Sequence, residues 1–493
     1  MIPKNAPVRL LNAQLEELEY GKLYKAYSPR GRKSAADPRV LFKVMVHGYL
    51  CGIYSSRKLE EACQYRIDFR WLLEDQKAPD HTTFARFRTG RCREVVEDLF
   101  YQFVKKLEDM GETDHKTVYI DGTKLESAAG RYTFVWRKPI QKHLAKVKAE
   151  LEKRTGLKSA SAIGSRLEEE RRHILFVHGS GKRKSPQQRE WEEQWTLLER
   201  WKAYERKLAI MGEGRNSYSK TDPDATFMRM KEDHMLNGQL KPAYNVQIAV
   251  ENYFIVHGYV SNDRTDYNTL IPIVEKHRKA FGEVLDEVTA DSGYCSEKNL
   301  LYLKENEIAS YIKLQDHEKR KTRAYKEDIS KYYNMTPQVF EDEHYYLCHD
   351  GRELRHIRTE TRERDGYTQT WEVYGCADCS GCEHKSRCLY KYNAEKNSDR
   401  NKVMKINEQW ESLKEASNAN IQSEKGILNR QIRSIQTEGH FGDIKENDNF
   451  RRFNCRTAEK VYKEFMLYAI GRNINKYHRF LYEKLRKFEG KTA

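Results

Sequence analysis

Nowhere in the 493 residues is there an unbroken apolar run of about 18 residues, the length a helix needs to cross a bilayer. The first residues, MIPKNAPVRLLNAQLEELEYGKLYKAY, lack the apolar core of a secretory signal. These absences predict a cytosolic protein. Low-complexity tracts and clear internal repeats are missing too. Wholesale disorder is excluded by 31 Tyr, 18 Phe and 7 Trp. Hydrophobic residues make up 38% and charged residues 33%, and mean hydropathy is −0.90. What the chain has in excess is positive charge, +15 with a pI near 9.1, which points to a polyanionic partner, most simply nucleic acid.

Residues 1–110 read as a run of helices. PDHTTFARFRTGR opens on Pro79 and Asp80, an N-cap signal. Phe84 and Phe87 form its apolar side, and the exposed side is expected to carry His81, Thr82, Arg86 and Arg88. Short helices ending in a capped basic helix fit a helix-turn-helix DNA-binding domain. They also fit an ordinary helical bundle with charged outer faces.

The periodicity changes at KTVYIDGT (116–123), which reads as a strand ending in Asp121. Residues 111–137 thus open an α/β unit. A charged helical insertion follows over 138–215, with HGSGKRKSPQQ as a basic linker between its helical runs. The α/β unit resumes over 216–314. There KPAYNVQIAVEN and YFIVHGYVSN form a hairpin turning at Glu251-Asn252, and LDEVTADSGY is a strand ending in Asp291. Residues 315–420 read as a β-rich, Cys-rich insertion, and 421–493 as a helical tail. The fold class is α/β with a mixed sheet.

Three acids stand out. Asp121 and Asp291 end strands, where side chains project over a sheet rim, and Glu438 sits in the helix-like stretch IRSIQTEGHFGDIK. Taken singly, each reads as a turn or surface residue. Taken together, three converging carboxylates suit Mg²⁺ or Mn²⁺ and in-line phosphoryl displacement. Lys445 lies seven residues past Glu438, two α-helical turns, so the two should share a face. Gly439 and Gly442 between them suggest a close approach to the sheet or to DNA. Asp222 and Asp224 are rival acids in a turn-like loop.

VYIDGTKLES, KPAYNVQIAVEN, TADSGYCSEKN and RSIQTEGHFGDIK, in this order, resemble the DDE transposases of bacterial insertion sequences, in particular the IS1182-type branch near the IS5 and IS4 types. DPRVLFKVMVHGYLCG and PDHTTFARFR resemble the amino-terminal domain of those transposases. The resemblance implies an RNase H-like fold with Asp121, Asp291 and Glu438 as the metal-binding triad. It implies Lys445 and Arg433 as phosphate-holding residues. Arg433 lies one residue further from Glu438 than in the IS4-type signature, where Ser434 stands. The implied activity is metal-dependent DNA cleavage at element ends and strand transfer, performed by a homodimer in a synaptic complex on double-stranded DNA, in the bacterial cytoplasm at the nucleoid. A domesticated nuclease or recombinase on the same fold, and a non-catalytic zinc-containing DNA-binding protein, are the alternatives. Lys124, Arg131, Arg137 and Lys138 follow Asp121 closely and are placed to line a DNA path, with Trp136 either stacking on a base or packing in the core.

Cys376, Cys379, Cys382 and Cys388 form two overlapping CxxC pairs and a fourth thiol, the composition of a structural Zn²⁺ site. An iron–sulfur cluster or free thiols would use the same residues. Cys348 and the other five cysteines read as ordinary thiols.

Overall fold

The computed structural model describes the chain apart from residues 1, 28–33, 35, 179–182, 231–237, 342, 365 and 490–493. Most of the basic turn SPRGRKS and the middle of the linker HGSGKRK therefore lie outside the described residues.

β1 (Thr117–Glu126) is buried along nearly its whole length, so it needs strands on both edges and cover on both faces. It gets them from distant sequence. β2 (Phe134–Trp136) and β3 (Ser217–Ser219) pair with each other; β4 (Thr226–Arg229), β5 (Leu240–Glu251), β6 (Phe254–Ser261), β7 (Glu287–Ala290) and β8 (Ala309–Ile312) join β1. The lateral order is β6-β5-β1-β7-β8, with β4 also on β5. β5 and β6 are antiparallel neighbours, β5 runs antiparallel to β1, and β7 and β8 run parallel to it. Parallel pairs need crossovers, and the helices Leu270–Phe281 and Glu297–Glu305 supply them. The structure is thus a mixed α/β sheet.

The β5–β6 turn falls at Asn252 and Tyr253, both at positive φ (44° and 66°), one residue later than the sequence suggests. That is the backbone a two-residue hairpin of right-handed twist requires. β1 also runs on to Glu126, so Asp121 sits within a strand rather than at its end. What ends there is pairing: the β1–β7 ladder stops at Ile120↔Ala290, while β5 stays paired through Glu126.

β2 and β3 close the neck of the first insertion. Beyond it stand three helices, Arg137–Thr155, Ala160–Arg172 and Pro186–Met211, with a core of their own around Leu151, Ile163, Leu167, Trp191, Leu198 and Trp201. The helical runs expected on either side of the basic linker gain a third helix from SAIGSRLEEERR. The second insertion is an antiparallel sheet of β9 (Thr336–Phe340), β10 (Glu343–Leu347), β11 (Glu353–Arg364), β12 (Tyr367–Cys376) and β13 (Val403–Ile406). The helix Glu408–Gln422 then returns to the main sheet, where Ser417 Oγ donates to the Ile312 carbonyl (2.8 Å).

The amino-terminal helices share one continuous core with the main sheet and with the long helix Ala458–Glu489. Tyr49 donates to Glu464 (3.1 Å) and Tyr54 to the Asp448 carbonyl (2.6 Å). Among the described residues no helix is long and apolar enough to cross a membrane.

Candidate functional site

Because β1 and β7 run parallel and in register, Asp121 and Asp291 are the next residues after the last ladder pair, on neighbouring strands that part there. Parallel strands lie about 4.8 Å apart, so this register alone puts the two residues side by side. Asp121 Oδ1 accepts from the Gly122 amide (2.7 Å). Its Oδ2 accepts from Arg433 Nη1 (2.9 Å) and from the Thr437 hydroxyl (3.2 Å). Asp291 Oδ1 accepts from the Gly293 amide (2.7 Å), which starts the turn into the next helix. Both acids are thus oriented by the backbone that follows them. All donors at this rim are carboxylate oxygens, the set that hard divalent cations prefer. A positive charge on Asp121 is already supplied by the Arg433 guanidinium.

Arg433 and Thr437 come from the stretch IRSIQTEGHFGDIK. The α-helix Glu424–Arg433 widens into a π-helical turn over Ser434–Glu438, narrows over Gly439–Gly442, and widens again over Asp443–Asn447. A π turn closes its hydrogen bonds over five residues and so absorbs one extra residue without rotating the helix on either side. This explains the offset of Arg433: one residue too many between it and Glu438 is taken up in the turn. The arginine then reaches Asp121 despite the spacing.

Two expectations for this stretch fail. Glu438 is exposed whereas Lys445 is buried at 7%, so the two wide turns do not leave them sharing one face. Gly439 and Gly442 have ordinary helical φ (−59° each), and a Cβ at either would meet nothing within 4 Å. They are not close-packing glycines. They leave bare surface beside Glu438.

Residues 1–90 match the family model described as a transposase domain (DUF772), and residues 347–478 match the transposase DDE domain. The second match takes in the cysteine cluster, the π turns and Glu438; Asp121 and Asp291 lie between the two matches. Both matches are to transposase domains, and together they support an insertion-sequence DDE transposase. No curated protein and no solved structure gives a significant match.

In the amino-terminal transposase domain, Asp80 caps the helix His81–Thr89, accepting from the Thr83 amide (2.6 Å). The four residues expected on its outer face divide. Thr82 and Arg86 are exposed. His81 Nδ1 pairs with Glu60 (2.8 Å). Arg88 is turned inward, donating to the Tyr54 carbonyl (2.8 Å), Ser56 (3.2 Å) and Tyr49 (3.4 Å). It locks the helix to the preceding turn and does not face outward. Arg137 is likewise committed: it donates to the carbonyls of Arg215 (2.8 Å) and Gly212, closing the neck of the first insertion. Lys124 donates to the Arg229 carbonyl (3.3 Å) and is half-exposed. Trp136 packs on Phe227. The rival acids serve the backbone. Asp222 is fully buried, accepting from Ser127, Tyr244 and the Thr457 amide, and Asp224 accepts from the Ala458 amide (2.9 Å) at the head of the last helix.

The clustered thiols gather at the end of β12. Cys376 and Cys379 are buried, and Cys382 and Cys388 half-buried. The Lys402 amide points at Cys379 Sγ (3.4 Å). Cys348, which sequence reading set aside, joins them: β10 and β11 pair up to Leu347↔Glu353, and Arg352 donates from the same turn to the carbonyls of Asp378 (2.9 Å) and Ser380 (2.8 Å). Burial pushes the Cys376 thiol up to about 11, with Cys379 and Cys348 adding to the effect. Yet no three of these sulfurs lie within 4.8 Å of one another among the described residues. They are collected without being closed into a tetrahedron. The closed trio of potential ligands is His47, Cys51 and Asp68, but there Arg66 already pairs with Asp68 (2.6 Å) and reaches Cys51 (3.6 Å). A guanidinium holds the place a cation would take.

Sequence reading also missed Thr437 and Asp266. Asp266 lies in the loop five residues past β6, whereas Asp291 follows β7 directly, and an acid in the loop after a second strand was the only signal for it.

Proposed function

We propose that the chain is a metal-dependent transposase that cleaves DNA at the ends of its element and joins them to a target. The observation that carries this is the adjacency of Asp121 and Asp291, each one residue past the last β1–β7 pair, with the π turn laid across Asp121, in a chain with transposase domains at both ends. In this reading Asp121, Asp291 and Glu438 hold Mg²⁺ or Mn²⁺. A bound divalent ion supplies charge neutralisation at the scissile phosphate and a more acidic attacking water.

The chain's own residues do the positioning. Arg433 balances the Asp121 charge and is free to shift to a phosphate oxygen when DNA arrives, a geometry guanidinium suits. Thr437 keeps Asp121 turned toward Asp291. The bare surface at Gly439 and Gly442 leaves room for a DNA backbone beside Glu438. The sheet is RNase H-like in this reading, with the amino-terminal helices binding double-stranded DNA through Thr82 and Arg86, and two copies forming the synapse. The thiols hold structural Zn²⁺, closing around it when it binds.

The test uses purified protein, Mg²⁺, and DNA carrying the ends that flank this reading frame. Cleavage and joining are expected, and Asp121→Asn, Asp291→Asn or Glu438→Gln should each abolish both while leaving DNA binding. Cutting without joining would make the protein a nuclease; binding without cutting, in the unaltered chain, would end the catalytic reading.

A further inference from the structure

We propose that Asp266 is a fourth carboxylate of the metal-binding rim, held there by a buried chain of two amides and a phenol. The inference rests on the catalytic reading above and adds a residue to it.

Asp266 lies between β6 and the helix Leu270–Phe281. Its backbone carbonyl closes the turn before the helix, accepting from the Thr269 amide (3.1 Å) and hydroxyl (2.8 Å). The side chain turns to the sheet. Oδ1 accepts from Asn245 Nδ2 (2.8 Å) and Gln247 Nε2 (2.7 Å) on β5. Gln247 Oε1 in turn accepts from the Tyr294 hydroxyl. These three partners are 2%, 0% and 0% exposed.

The direction of the chain is fixed by chemistry. The Asp266 carboxylate only accepts, so Gln247 gives it the amino group and turns its oxygen to Tyr294, whose hydroxyl donates. Oδ1 is tied down, and Oδ2 is left toward the rim.

Two glycines record where it goes. A Cβ at position 122, beside Asp121, would lie 2.8 Å from Asp266 Oδ1 and 2.1 Å from Gln247 Nε2. A Cβ at position 293 would lie 2.9 Å from Asp291 Oδ1 and 3.2 Å from Asp266 Oδ2. The carboxylate thus occupies the space that side chains next to both acids would need. Placing a third negative charge there is unfavourable unless a cation is shared. An asparagine could accept the same amide hydrogen bonds without that repulsion, so the charge itself calls for a role.

Mn²⁺ binding to the full-length protein without DNA, measured by titration calorimetry, tests this. Asp266→Asn should weaken Mn²⁺ at least tenfold with no fall in the thermal midpoint of the metal-free protein. Affinity within twofold of wild type, while Asp121→Asn and Asp291→Asn lose it, overturns the role of Asp266 and leaves the catalytic reading standing. Unchanged affinity in all three variants overturns both. Should Asp266→Asn fail to fold, the unaltered protein decides: Fe²⁺ in the metal site, with ascorbate and peroxide, should cut the backbone at 262–268 as well as near 121 and 291. Cuts near 121 and 291 with none at 262–268 overturn the proposal.

Discussion

The acid rim and the thiol cluster are two collections of metal-type ligands built in opposite ways. At the rim, strand register does the work. Asp121 and Asp291 are neighbours because Ile120 pairs with Ala290, and each carboxylate is tied to the amide that follows it or the next but one. In the thiol cluster, only Cys376 ends a ladder; Cys379, Cys382 and Cys388 hang on turns, and no three sulfurs close up. A sheet can hold like charges near each other before any cation arrives, because backbone pairing on either side meets the cost. A loop cannot, so its ligands close only when the ion's binding energy is available.

The largest expected effect breaks the rim and spares the fold. Asp121→Asn or Asp291→Asn should lower DNA cleavage by at least about 10³-fold, the scale of losing a principal charge-stabilising group. Circular dichroism and the melting midpoint should hold, since the register that places these residues is unchanged. A variant that melts early would mean that the acids are structural.

The second prediction takes the cluster apart instead. A strong chelator should release about one Zn²⁺ per chain, and limited proteolysis should then cut within 376–402. A rim built by register should not notice, so Mn²⁺ binding there, restored after the chelator is removed, should be unchanged. Structural zinc supplies folding energy directly, so the local effect should be nearly complete. Absence of zinc from metal analysis of freshly purified protein would sink this half of the contrast.

Acid should separate the two regions in the other order. Behind the sheet, His257 on β6 and His277 on the following helix share a hydrogen bond (2.9 Å) in full burial. Burial, then the neighbouring histidines, drives His257 far down and His277 down to about 4; His440 is pushed down to about 3 by burial and Arg472. The sign follows from proton uptake. The unfolded chain takes up these protons near pH 6.5, whereas the folded chain resists to pH 4 or below. Stability from this source is intact above pH 6.5 and is lost as pH falls through that interval, by a few kcal/mol. Glu251 opposes it. Burial raises that carboxyl to about 8, so its share is full in acid and fades as pH rises from 4.5 to 8. With three histidines against one glutamate, the melting midpoint should fall between pH 6.5 and 4. His277→Gln should flatten the fall. The histidines of the β9–β13 sheet and its connecting turns are exposed or half-buried, so its unfolding should lack this slope.

How much of this was readable beforehand follows the same division. Local signals held where local physics decides: Asp80 caps the helix it precedes, and the strands that lead to Asp121 and Asp291 stand where their β-rich patterns put them. What failed depended on partners far away in sequence. Arg88 carries a charge on a helix and reads as exposed, but the carbonyl of Tyr54 claims it. Asp266 is an unremarkable loop acid until β5 brings Asn245 and Gln247 beneath it. Cys348 lies 28 residues before Cys376 and joins it only through the pairing of β10, β11 and β12.

The smallest expected effect tests the one place where a sequence misfit became a structural statement. Ile435 lies in the first π turn with its side chain 60% exposed. If that turn exists to absorb one residue, deleting Ile435 should let it close as ordinary α-helix. Arg433 would keep its reach to Asp121, and Thr437 through Asn447 would keep their faces. The cost should then be about 1 kcal/mol or less by denaturant titration. Deleting Ala419 from the regular helix Glu408–Gln422 is the control. There every residue past the gap rotates by a quarter turn or more, and the buried contact of Ile421 is lost, at about 2–4 kcal/mol. Equal costs at the two positions would mean that the wide turn stores no spare residue, and that the offset of Arg433 needs another cause. A cheap deletion at 435 with cleavage retained would show that the rim tolerates a change in the helix as long as the register beneath it stands, which is where the contrast with the thiols began.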